Sequence, residues 1–159
     1  MVDNVINILQ QQQTIYQKLI KYSRQMQKAI VKDDTTEMNI LIQAESALAM
    51  KFSVLEKKRT TLVNNIAKTV GYGGNNFNID ELKKHSTAMQ IQKLNTLESD
   101  IADIIVELNE LNTTNGSLIK NRLDVVNFSL NYLGLATNAV YNKTNLNNSS
   151  QSKLIDESI

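Results

Sequence analysis

Proline, cysteine and tryptophan are all missing from the 159 residues, and only five glycines occur. Without proline nothing forces a helix to stop in its interior, and three of the glycines fall together at 71–74, so very long helices are permitted. The missing cysteine excludes disulfides, thiolate metal sites and cysteine nucleophiles. Aromatic residues are scarce at 5%, as expected where Leu and Ile fill helix seams. Neither sign of charge is in excess: the net charge is +1, so no strong field draws nucleic acid or an anionic membrane. No apolar run approaches the roughly 20 residues of a membrane span. The opening "MVDNVINILQQQQ" lacks the basic region and sustained apolar core of a signal peptide. The expectation is a soluble, cytoplasmic protein with no nucleic acid and no membrane insertion.

What is present is helical periodicity. Val2, Val5, Leu9, Tyr16, Leu19, Met26 and Ile30 recur at 3,4-type spacing, interrupted by Gln12 and Ser23, and predict a helix over about 3–32. "KDDTTE" at 32–37 supplies a break and a restart, with Asp34 and Glu37 in the form of a capping box. Met38, Leu41, Leu48, Phe52, Leu55, Leu62 and Ile66 then mark a second helix over about 35–70. Glu45 and Arg59 occupy two of its seam positions. They read as stems lying across the seam edge with their charges in water, or as polar residues that fix pairing with neighbouring helices. "EKKR" at 56–59, the densest basic cluster, reads as a solvated face rather than a phosphate site.

Gly71 is a natural left-handed cap for the second helix, and "GYGGNNFN" lacks the Gly-Lys-Ser/Thr of a phosphate loop. Asn78 caps a short helix at about 79–84. His85 stands alone, without a carboxylate cluster or cysteine, and makes no case for metal or acid–base chemistry. No catalytic residue, metal or cofactor is expected.

A third helix is expected over about 86–141, on the seam Leu94, Leu97, Ile101, Ile104, Leu108, Leu111. The polar stretch 112–117 opposes it, costing roughly 3–4 kcal/mol relative to alanine. Yet the stripe resumes in phase as Ile119, Leu123, Val126, Leu130 and Leu133, with Asn115 at a seam position. An added four-residue step is a stutter, which unwinds a coil locally without breaking it. One continuous helix of roughly 80 Å follows, at ~1.5 Å per residue. The alternative is a four-helix bundle folded back near residue 116. The expected fold is therefore all-α: an antiparallel bundle of three long helices in a single domain over 1–141. The third helix would be longest and overhang, and 142–159 would be a polar, disordered tail. An overhanging apolar stripe marks an interaction site, for a partner helix or for a second copy in a homodimer.

These residues resemble the FlgN family of flagellar export chaperones. "AIVKDDTTEMNILIQAESALAMKFSVLEKKRTTLV" (29–63) is similar to that family's helix–turn–helix, with Glu45, then Leu55, Glu56 and Arg59 at a Leu-Glu-x-x-Arg-like element. "LNELNTTNGSLIKNRL" (108–123) is similar to its Leu-Asn-x-x-Asn-x-x-Leu-Ile stretch, through Asn112, Asn115, Leu118 and Ile119. "NAVYNKTN" places Tyr141 at its C-terminal tyrosine, without the small residue that usually follows. The resemblance implies a non-enzymatic chaperone that binds C-terminal amphipathic segments of the hook–filament junction proteins FlgK and FlgL. It would prevent their premature assembly and deliver them to the flagellar type III export gate. Leu118, Ile119, Arg122, Leu123, Val126, Leu130 and Leu133 would hold the client, and Tyr141 would dock on the gate protein.

Overall fold

The computed structural model describes the backbone of residues 1–74 and 77–152, with side chains as far as residue 125. Four helices follow one another: α1 (Val2–Lys32), α2 (Thr35–Thr69), α3 (Ile79–Lys84) and α4 (Ala88–Ser152).

Local chemistry sets most of their ends. Asp33 closes α1 in the left-handed region at φ 57°, which a short polar side chain tolerates. The Asp34 carboxylate accepts the backbone N–H of Glu37 at 2.9 Å and so caps α2. Gly71, at φ 68°, ends α2 in a Schellman motif. Its N–H donates to the Lys68 carbonyl, and that of Tyr72 to the Ala67 carbonyl. Asn78 caps α3 by accepting from Glu81 N–H at 3.0 Å. The start of α4 is a reciprocal box that the sequence reading did not single out. Gln90 N–H donates to Thr87 Oγ1 and Thr87 N–H to Gln90 Oε1. Ser86, the expected start, instead donates its hydroxyl back to the Leu82 carbonyl.

The chain divides into two units, Met1–Leu118 and Ile119–Ile159. In the first, α1 and α2 run antiparallel: Tyr16 meets Phe52 with ring centroids 5.0 Å apart, and Gln12 meets Glu56. Between α1 and α4 the paired numbers climb together, from Asp3–Gln90 through Gln13–Asp100 to Ser23–Asn112, so these two helices are parallel. The return of the chain through α3 makes this possible.

Two apolar clusters close the ends of this unit. One gathers Val2, Val5 and Ile6 of α1 with Ile66 of α2, Leu82 of α3, and Leu94 and Leu97 of α4. The other gathers Met26, Ala29 and Ile30 with Leu41, and Leu118 of α4 packs against it. Ile30, Leu82, Leu94 and Val5 are the largest fully enclosed side chains, each contributing roughly 1.5–3 kcal/mol of apolar transfer.

The second unit is described through α4, which runs unbroken across 112–117 and on to Ser152. The fold-back near residue 116 is therefore excluded. α4 also extends past 141, into the stretch expected as a polar tail. Asn and Ser disfavour a helix by only a few tenths of a kcal/mol each, a weak prior against continuation. Residues 153–159 lie outside the described residues.

Candidate functional site

The polar stretch of α4 survives as helix because its side chains find partners on the helix itself or on α1. Thr114 donates its hydroxyl to the Glu110 carbonyl at 2.9 Å, and Ser117 to the Thr113 carbonyl at 3.0 Å. Such back-bonds satisfy the hydroxyls without leaving the helix. Gly116 sits in open space, where an added Cβ would meet nothing within 4 Å.

The asparagines reach across to α1. Asn112 Oδ1 accepts the Ser23 hydroxyl at 3.2 Å, and Asn115 Nδ2 donates to the Ser23 carbonyl at 2.8 Å. Asn115 is 6% exposed, and its Oδ1 is buried without a hydrogen-bond partner among the described residues. From α2, the Glu45 carboxyl lies near the Ser23 side chain. Burial pushes the Glu45 carboxyl above its ordinary value, and the Ser23 hydroxyl opposes that rise. Three residues of the family-like motifs, from two helices, thus converge on Ser23. In the sequence Ser23 stands only as an interruption of the α1 stripe, and that interruption is its signal.

A second polar group lies further along the α1–α2 pair. Arg59 grips Glu56 with both arms of its guanidinium, at 2.8 and 2.6 Å, and Gln12 of α1 donates to the same carboxylate at 2.9 Å. The bonds from Arg59 act most strongly, burial opposes them, and Gln12 assists. The Glu56 carboxyl is held down at about 2. Arg59 therefore pairs within α2, and Glu56 carries the link to α1.

On α4 beyond this layer, Leu118 is half-buried against the interior cluster and Arg122 is also half-buried. Ile119 is 36% exposed and Leu123 55% exposed. Four residues apart, these two lie on one helix face. The side chains of Val126, Leu130, Leu133 and Tyr141 lie outside the described residues. Among the described residues no group of three His, Asp or Glu is placed to hold a metal ion. No described helix is long and apolar enough to cross a membrane.

A family profile described as "FlgN protein" matches residues 1–149. No curated protein and no solved structure matches the chain. The match spans α1, α2, α3 and nearly all of α4, including both motifs that meet at Ser23. The chain belongs to the FlgN family of flagellar export chaperones.

Proposed function

We propose that this chaperone works in the cytoplasm, where it captures C-terminal amphipathic segments of FlgK and FlgL on α4. Ile119, Leu123, Val126, Leu130 and Leu133 form the gripping stripe, with Leu118 and Arg122 at its start. Tyr141 and its neighbours then dock the loaded chaperone on the export gate protein. The observation that carries the reading is the exposure of Leu123 and Ile119 on one face of α4. Their phase runs on through Val126, Leu130 and Leu133 in the sequence. An amphipathic client helix laid there completes a coiled-coil-like packing that withdraws both apolar faces from water. Sequestering the client segment in this way also prevents it from assembling early.

The test is a double change, Leu123→Asp with Leu130→Asp, assayed by co-purification with FlgK and FlgL. Capture should fall by at least about tenfold, while circular dichroism and thermal midpoint stay near the parent's. Undiminished capture would place the client elsewhere on the chain. Tyr141→Ala should leave client binding intact and weaken recovery of the gate protein.

A further inference from the structure

The α1–α2 hairpin carries another groove, wholly within the first unit. Its floor is apolar, formed by Ile8 and Ile15 of α1 with Leu48, Leu55 and Leu62 of α2. Two adjoining hollows of about 430 and 420 Å³ share Lys58. None of the α1 residues that bond to α4 (Asp3, Gln13, Ser23 and Arg24) lines it.

Its rim has one sign of charge. Lys18, Lys51, Lys57 and Lys58 border it, all exposed, and no Asp or Glu is among the lining residues. None of the four lysines forms an ion pair among the described residues. The "EKKR" run, which by sequence is only a solvated face, thus splits in two. Glu56 and Arg59 turn to each other, while Lys57 and Lys58 line the groove.

We propose that this groove docks an amphipathic helix of a partner protein, one whose apolar stripe is flanked by aspartate and glutamate. The shape argues for a helix: the floor lies between two antiparallel helices and extends from Leu48 to Leu62, roughly 21 Å at ~1.5 Å per residue. A helix of about four turns seated there becomes the fourth member of a bundle, packed by the same ridges and grooves. The charge argues for acidic flanks, since lysines beside an apolar seam select partners with carboxylates at the matching edge positions. A second copy's α4 is a poor match, because its Ile119–Leu133 stretch carries Lys120 and Arg122 against a single Asp124. This surface is separate from the α4 stripe and stands whether or not that stripe holds the client.

Two synthetic helical peptides of about 14 residues, the four turns that the floor accommodates, test it. Both carry leucines at 3,4 spacing, one with glutamate flanks and one with lysine flanks, and each is titrated into the full chain by fluorescence anisotropy. The glutamate peptide should bind and slow amide exchange over 8–18 and 48–62. Lys18→Glu, Lys51→Glu and Lys58→Glu together should weaken it at least about tenfold and admit the lysine peptide. The corresponding Lys→Gln triple, a milder change, should weaken it without admitting the lysine peptide. Equal binding of both peptides to the parent chain, no binding of either, or protection confined to α4 would overturn the proposal. So would binding of phosphatidylserine vesicles by a chain that ignores the glutamate peptide.

Discussion

α1 and α4 are both long amphipathic helices, yet they use their apolar residues differently. α1 places eleven residues in the interior, from Val2 to Ile30. Up to residue 125, α4 buries only Leu94, Leu97 and Asn115 and leaves Ile105, Val106 and Leu123 exposed. The difference follows from neighbours. α1 is flanked by α2 on one side and α4 on another, so its buried face is wide. α4 offers the first unit a narrow edge. Stability is concentrated on α1, and apolar surface is left exposed on α4 and on the outer side of α2.

The largest expected effect tests that division directly. Ile30→Ala should cost about 2–5 kcal/mol in urea denaturation, because Ile30 is fully enclosed. Leu123→Ala should change stability by less than about 0.5 kcal/mol. Equal losses would end the distinction between the two helices. Asn115→Ala tests the polar place where, among the described residues, α4 is buried against α1. It removes the bond to the Ser23 carbonyl and should cost about 1–2 kcal/mol by the same measurement.

The smallest effects concern two carboxylates of α2 whose pKa values are shifted in opposite directions. Glu56 is held at about 2 in the folded chain, below its ordinary 4.5. Its stabilisation is complete above the ordinary value and disappears as pH falls from there toward 2. The Glu56–Arg59 pair is partly open to water, so solvent screening reduces its worth, and Glu56→Gln should cost about 1 kcal/mol at neutral pH. That cost should vanish in acid. Glu45 is raised instead, so its charge is a small penalty at neutral pH that fades as pH falls through the raised value. Glu45→Gln should leave the thermal midpoint unchanged or slightly higher at neutral pH, and a clear drop there would contradict the burial cause.

Helix ends were the most legible part of the chain, because a cap is a local hydrogen bond between residues a few positions apart. Asp34 with Glu37, Gly71 and Asn78 could each be read where they stand. The Thr87–Gln90 box carries the same kind of local signal, but Ser86 offers a competing start one residue earlier. The α1 stripe was legible only in part. Ile6, Ile8, Ile15 and Ile20 are buried outside the predicted spacing, since a helix that meets two partners buries more than one seam. The phase of Asn115 in the α4 seam was visible, but not that Asn112, Asn115 and Glu45 all reach Ser23.

By itself the sequence determined the all-α class, favoured an unbroken α4 over a fold-back near residue 116, and carried the motifs that resemble the family. Each of these depends on residue spacing along one chain: the absence of breakers, the 3,4 stripe that keeps phase through 112–117, and the order of the motifs. Only the tertiary structure decided that α1 and α4 run parallel, that Ser23 gathers the polar layer, and that the exposed Lys57 and Lys58 border an apolar groove. Those outcomes depend on which helix faces turn toward each other, and helical periodicity marks a face without naming the face that meets it.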